Sequence, residues 1–311
     1  MKKIVSWLLE KPVGGPVTSL DKYTLFFFKV ISLITRCSAR KILGSSRPHM
    51  LSTISPSFSL FMYSSRIMKF LRVGDQKLIK IHIPKYNYKV YCPANKNDLM
   101  NFTVREDDII ERFCPKEGDI VIDVGAHFGR YTIIASKRVG PNGKVIAIEA
   151  HPQNFELLNC NIKLNNLNNI ISLNYAAFSK QTTVKLYLKS DEPSDAIYNT
   201  LISNRVKSTD FLEVQANTLD YLLQSNLVNL EKVNWIKIDV EGAELEVLRG
   251  STNVLANSKD IVLLIEIHTL PDGKNHYETI MDLLNRYNFN VEFEKTYGSG
   301  EKHVILRKLS L

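Results

Sequence analysis

The chain has 311 residues, 44% of them hydrophobic, which supports one full core with an appendage or two modest domains. Its net charge of +8 is unevenly placed: residues 1–72 carry 12 Lys/Arg against 2 Asp/Glu, and the remainder carries 28 against 30, so the basicity gives no reason to expect nucleic acid on the main body. Cys37, Cys92, Cys114 and Cys160 form no CxxC pair and have no histidine at metal spacing, which argues against cysteine-bound metal and for reduced thiols in a cytoplasmic protein.

The start, Met1-Lys2-Lys3-Ile4, is basic, but Glu10, Lys11 and Pro12 break the apolar stretch behind it and no small-residue cleavage site follows, so a signal peptide is not expected. Residues 20–43 read as a helix in which Lys22, Lys29 and Arg36 recur every seventh position, with Ser32 and Arg40 completing one narrow polar stripe on an apolar rod. Its uninterrupted apolar run is far short of the roughly 20 residues a membrane span needs. Two readings stand: a helix docked on the main domain, or one lying in a membrane surface with its basic residues at anionic headgroups. Residues 44–65, rich in Ser and Pro, read as a linker. The expected domains are therefore an extension over 1–72 and a main domain over 73–311. The latter begins with a hairpin over 78–91 that turns around Pro84 and is expected at the domain edge.

From about residue 100 strands and helices alternate. Strands are expected at 119–124, 144–149, 170–174, 182–188, 233–239, 261–267, 289–294 and 302–307, and helices at 129–139, 152–165, 218–225, 242–249 and 276–286. A polar stretch runs to 212. Such alternation predicts an α/β, doubly wound, mostly parallel sheet with helices on both faces. The last two strands, joined by a loop too short for a crossover, must pair antiparallel.

Strand 119–124 runs into the turn Gly125-Ala126-His127-Phe128-Gly129. Asp123 stands where a dinucleotide fingerprint has its first glycine. A pyrophosphate requires bare amides with no negative charge beside them. A cofactor with a cationic amino-acid end, such as S-adenosylmethionine, tolerates that carboxylate. Glu149 closes the next strand, where an acid can accept both hydroxyls of a ribose; the plainer alternative is a solvated carboxylate favouring a helix start.

The run Val121-Ile-Asp-Val-Gly-Ala-His-Phe-Gly-Arg-Tyr-Thr132 resembles the first motif of class I S-adenosylmethionine methyltransferases. With Glu149-Ala-His-Pro152, Asn174-Tyr-Ala-Ala-Phe-Ser179, Thr218-Leu-Asp-Tyr-Leu222 and Ile236-Lys-Ile-Asp-Val-Glu-Gly-Ala-Glu-Leu-Glu-Val-Leu-Arg-Gly250, the chain resembles the FkbM-type branch over about residues 95–307. The resemblance implies a Rossmann-like sheet of seven strands with an antiparallel C-terminal strand. It also implies methylation of a hydroxyl on a sugar, glycolipid or secondary metabolite. By position it assigns Asp123, Gly125, Ala126, His127 and Gly129 to the methionine end of the cofactor, and Glu149 with Ala150 to the ribose. Asn174, Ala176 and Ala177 would border the adenine, and Asp239 would face the methyl group. His127 replaces a third glycine of the general motif, which narrows the turn and brings an imidazole near the cofactor.

A hydroxyl acceptor needs a base. Lys237, Asp239 and Glu241 alternate at one strand end, and Glu266 and His268 alternate at the next. Asp239, Glu241 and His268 are the leading catalytic candidates, with Lys237 and His127 as alternates. Asp239, Glu266 and His268 also suit a divalent metal. Glu241 and Glu244 can equally serve only the start of helix 242–249. His151 reads as a cap or an adenosine contact, and His276 and His303 need no special role. The Asn-rich run from Asn159 to Asn169 reads as a helix terminator. The acceptor pocket is expected from segments 97–112 and 190–212. Two other functions remain open: a dehydrogenase of the NAD type, and a non-catalytic adaptor that kept the fold.

Overall fold

The computed structural model describes residues 71–73, 76–93, 107–188, 200–201, 210–270, 273, 275–297 and 300–308. The chain divides into a unit of residues 1–67 and a unit of residues 68–311, and the description concerns the second. The expected helix at 20–43, the linker at 44–65 and most of segments 97–112 and 190–212 lie outside the described residues. Among the described residues, no helix is long and apolar enough to cross a membrane.

The first strands are β1 (Leu71–Val73), β2 (Gln76–Ile83) and β3 (Tyr88–Pro93), an antiparallel sheet in the order β1-β2-β3. The boundary expected after residue 72 therefore falls inside a paired strand. Helix α1 (Asp107–Arg112) follows. The main body then runs β4 (Ile120–Val124), α2 (Arg130–Val139), β5 (Lys144–Ile148), α3 (Pro152–Leu164), β6 (Ile170–Leu173), β7 (Ala176–Ala177), β8 (Thr182–Tyr187), β9 (Phe211–Asn217) and α4 (Leu219–Ser225). It closes with β10 (Val233–Ile238), α5 (Glu244–Arg249), α6 (Thr252–Asn257), β11 (Val262–Ile267), α7 (Tyr277–Asn285), β12 (Phe289–Thr296) and β13 (Lys302–Lys308).

The central sheet has seven strands in the order β12-β13-β11-β10-β4-β5-β6. β4, β5, β6, β10 and β11 run parallel, and β13 lies antiparallel to both β11 and β12. The parallel strands are short apolar runs because helices cover both faces. Ile122, Ile146, Ile236, Leu263 and Ile265 join one buried cluster with Leu222 of α4, Leu248 of α5 and Leu284 of α7. The chain winds outward from β4 to β6 and then returns to lay β10 on the other side of β4. The direction of winding reverses between β4 and β10, and a crevice opens at the carboxyl ends of strands around such a switch point.

The strand expected at 182–188 is present as β8; it pairs with β9, which pairs with β7, in a three-stranded sheet separate from the central one. β9 lies between the expected polar stretch and the next helix, where no strand was expected; Phe211, Glu213 and Gln215 are exposed and Val214 and Ala216 carry its inner face. The hairpin belongs to its own sheet with β1 and packs on α3. Asn161 Oδ1 accepts from the Tyr91 amide (2.7 Å) and its Nδ2 donates to the Tyr91 carbonyl (3.0 Å). One helical turn later, Asn165 does the same for Lys89, at 2.9 and 2.6 Å. Asparagines four apart on a helix present their amides at the spacing of alternate residues on a strand, so they substitute for a neighbouring strand. Asn165 caps α3 and Asn166 has φ 53, so the expected helix end is present as well.

Candidate active site

The turn after β4 is set by close approach. Gly125 has φ 78, and a Cβ there would lie 1.8 Å from the Asp239 carbonyl oxygen. Only glycine lets the ends of β4 and β10 touch. Gly129, with φ 96, precedes α2, and a Cβ there would meet Leu158 Cδ1 of α3 at 2.7 Å. Between them His127 holds φ 51, a left-handed conformation that histidine adopts more readily than most residues. Its amide donates to Glu149 Oε2 (2.8 Å), which ties the turn to the end of β5.

Glu149 is itself held in place. Its Oε1 accepts from the His151 amide (2.9 Å) and from Asn154 Nδ2 (3.5 Å). Burial pushes its carboxyl up, and the amides of His151 and His127 oppose that shift. Asn174 donates its side-chain amide to the carbonyls of Glu149 (2.9 Å) and Ala150 (3.1 Å), fixing the same strand end.

A cleft opens at the switch point. Gly125, Ala126, His127, Glu149, Ala150, Ala176, Ala177, Asp239 and Glu241 line it, with Lys237 at its base. Asp123, Gly129 and Asn174 are not on its wall. Asp123 is 1% exposed, with Oδ2 accepting from Thr132 Oγ1 (2.6 Å) and Oδ1 3.3 Å from Lys237 Nζ. Lys237 also donates to the Gly125 carbonyl (2.9 Å), lies 3.4 Å from Asp239 Oδ2 and sits 5.3 Å from the Tyr131 ring centroid. One ammonium therefore braces the β4 end, the glycine turn and the β10 end together.

His268 lies behind Asp239, 4% exposed, and does not line the cleft. Its Nδ1 is 2.8 Å from Glu244 Oε1. Its Nε2 faces Glu241 Oε2 and Glu266 Oε1, each at 3.6 Å, and Asp239 Oδ1 at 3.8 Å. Burial alone would lower its pKa; the carboxylates of Glu241, Glu244 and Glu266 outweigh it and hold the imidazole well above its ordinary value. Asp239, with 29% of its side chain exposed, is pushed up by lost hydration, with Lys237 opposing and Glu266 reinforcing. Glu244 opens α5 and also accepts from the Gly242 amide (2.8 Å), so it serves the helix start and the imidazole at once. Glu241 has φ 55, and its carbonyl accepts from Thr200 Oγ1 (2.7 Å). His303, opposite Glu266 in the β11–β13 register, places Nε2 3.2 Å from Glu266 Oε2, so it belongs to this network after all.

The remaining histidines separate clearly. His127 lines the cleft with its ring stacked on Phe128 at 3.6 Å. Burial, with Lys237 and His151 adding to it, pushes its pKa down to about 3, which makes it a weak base. His151 caps α3.

Other cleft residues were not expected: Arg130, Tyr175, Leu186 and Leu201. Arg130 directly follows the second glycine of the turn, and Tyr175 sits inside a motif already singled out; both were legible. Leu186 and Leu201 come in from the second sheet and its neighbouring segment, which no local pattern announces.

A parallel sheet with a reversed last strand, a glycine turn at its switch point and an acid after the next strand define a Rossmann-like S-adenosylmethionine-dependent methyltransferase. The model of the Methyltransferase FkbM domain matches residues 123–291, and the chain belongs to the FkbM methyltransferase family. It is similar to the Hexuronic acid methyltransferase AglP of Haloferax volcanii, 30% identical over 205 residues that cover 65% of this chain and 77% of that protein. It is also similar to Methyltransferase 1 of Beauveria bassiana, 26% identical over 193 residues covering 58% and 75%. Among solved structures, M. jannaschii TYW2 in complex with AdoMet aligns with a TM-score of 0.41 at 16% identity, covering 76% of this chain and 87% of that one. The family membership sets aside the dehydrogenase reading.

Proposed function

We propose that the protein transfers a methyl group to a hydroxyl oxygen, with Asp239 as the general base. S-adenosylmethionine supplies an electrophilic methyl on a sulfonium. Gly125, Ala126, Glu149, Ala150, Ala176 and Ala177 line the cleft that would receive it. The carrying observation is the pair of carboxylates, Asp239 and Glu241, on the cleft wall. A carboxylate acceptor needs no base and would be repelled there, whereas a hydroxyl acceptor requires the proton acceptor that Asp239 provides. Lys237 and His268 flank Asp239, favour its charged form against the loss of hydration and orient it. His268 thus acts through Asp239 rather than on the substrate, and Glu241 is the second proton acceptor.

A sugar or glycan-linked hydroxyl is the favoured acceptor; the hexuronic acid named for a relative supports the sugar class alone, since it carries a carboxylate as well as hydroxyls. Residues 20–43 would bring the domain to a membrane surface and a lipid-linked substrate. A metal-assisted version of the reaction is the second reading. Asp239, Glu266 and His268 offer ligand atoms within 4.8 Å of one another, and Glu244 holds the other nitrogen of His268 as ligating histidines require. Such a donor set suits a divalent ion, which would lower the pKa of a bound hydroxyl.

Transfer of label from methyl-labelled S-adenosylmethionine into glycan and lipid fractions tests the reading. Label in a base-stable ether supports it, and label in a base-labile ester overturns it. Loss of turnover with chelator, restored by a divalent salt, would select the metal version. Membrane co-sedimentation that survives deletion of residues 1–72 would remove the surface role.

A further inference from the structure

We infer that Arg130 anchors the α-carboxylate of the bound cofactor and makes the enzyme discriminate against cofactors lacking that group. The inference rests on S-adenosylmethionine being the methyl donor. That molecule carries an adenosine, a sulfonium, an ammonium and one carboxylate. Its cationic groups have acids available in the cleft: Glu149, Asp239 and Glu241 all line it. Its carboxylate needs a cation, and the choice among the described lining residues is narrow. His127 is neutral, its pKa pushed down to about 3 by burial and by Lys237. Lys237 is engaged by the Gly125 carbonyl and by the carboxylates of Asp123 and Asp239. Arg130 is the other permanent cation on the wall.

Its position fits the task. Arg130 is the first residue of α2, directly after Gly129, so acid and cation lie on either side of the glycine turn, with Glu149 bonded to the amide of His127. The guanidinium is buried, and its Nη2 lies 3.3 Å from Asp107 Oδ1 of α1, whose other oxygen is 3.1 Å from Lys85. Arg130 is among the residues that line the cleft, and a guanidinium, with five donors in a rigid fork, can serve Asp107 and a second carboxylate at once. Arginine and carboxylate pair through charge-assisted hydrogen bonds in that geometry.

Calorimetric titration of the full chain with S-adenosylmethionine and with its decarboxylated analogue tests this assignment. The wild type is expected to bind the carboxylated cofactor about tenfold or more tightly than the analogue. Arg130→Met should bring the two affinities to within about threefold by weakening only the first. Should that variant fail to fold, Arg130→Lys serves, with a ratio reduced by about threefold or more because a point charge replaces the fork. Equal affinities in the wild type, or a ratio preserved in a folded variant, overturn the assignment. A variant that keeps the ratio but raises the acceptor KM also overturns it, since Arg130 would then hold the acceptor. If the wild type binds neither compound, the cofactor reading itself fails and Arg130 falls with it.

Discussion

His268 and Glu244 meet across the gap between β11 and α5, with 2.8 Å between imidazole Nδ1 and carboxylate Oε1. Nothing local in the chain pairs them; the fold does, by ending β11 beneath the first turn of α5. The contact fixes which nitrogen of His268 faces Asp239, and it therefore acts at one remove on the carboxylate proposed as the base.

Stability should report this contact through pH. Burial lowers the pKa of His268, but Glu241, Glu244 and Glu266 raise it further, and the folded value ends well above the unfolded one. A raised folded pKa gives stabilisation that is complete below the unfolded value, near 6.5, and is lost as pH rises through the folded value. The difference in unfolding free energy between wild type and His268→Gln should be largest at about pH 6 and shrink in alkaline buffer. Glu244→Ala, which leaves a buried imidazolium short of its partner, should cost about 3 kcal/mol. Glu244→Gln keeps an acceptor for Gly242 and should cost less. A difference that grows with rising pH would contradict the charge assignment.

Asp239 governs turnover in the proposed reaction. Asp239→Asn should lower kcat by about 100-fold or more while changing cofactor affinity far less. Lost hydration raises the Asp239 pKa and Lys237 opposes the rise. The acid limb of the rate profile should therefore lie above the ordinary aspartate range. Lys237→Met should shift that limb to still higher pH by removing the cation. Full activity in Asp239→Asn would mean that another group takes the proton, whereas cofactor binding without turnover in the wild type would favour the adaptor role.

Glycine positions offer a paired test of backbone geometry. Gly118 and Gly125 both have positive φ, 87 and 78, yet a Cβ at Gly118 meets nothing within 4 Å while one at Gly125 falls 1.8 Å from the Asp239 carbonyl. Gly118→Ala should cost only the conformational strain, about 1–2 kcal/mol. Gly125→Ala must in addition separate β4 from β10, so its loss should be clearly larger and should abolish cofactor binding. Denaturant titration of the two variants side by side reads the difference. Equal losses would mean that the two strand ends tolerate separation.

The sheet was readable in advance because a strand buried on both faces must be an apolar run, and β4, β5, β10 and β11 are such runs interrupted by the charges Asp123, Lys237 and Glu266. β9 escaped notice because Val214 and Ala216 are too small and few to stand out against Glu213 and Gln215. α6 is only six residues long, too short for helical periodicity to register. Many residues of the cleft wall were visible as motifs, since glycines and acids recur at strand ends. Depth was not visible. Asp123 directly precedes wall residues in the sequence and His268 ends a neighbouring strand, yet the structure puts both behind the wall, beside Lys237 and Asp239. His303 looked ordinary because its partner, Glu266, is brought to it only by the antiparallel register of β13.

The hairpin on α3 makes the last prediction. Asn161 and Asn165 supply four hydrogen bonds to the backbone of Tyr91 and Lys89, and Asn161 Nδ2 also donates to the Phe128 carbonyl (2.9 Å) inside the glycine turn. The two asparagines therefore differ in reach, although they make the same clamp. Asn165→Ala should cost about 1–2 kcal/mol and speed amide exchange at Lys89, with no effect on the cleft. Asn161→Ala removes the same number of bonds to the hairpin and also releases Phe128, beside His127 and Gly129. It should cost more and weaken cofactor binding by a few-fold as well as speeding exchange at Tyr91. Exchange measurements on both variants, paired with cofactor titration, separate the two effects, and identical cofactor affinity in both would confine Asn161 to the hairpin alone.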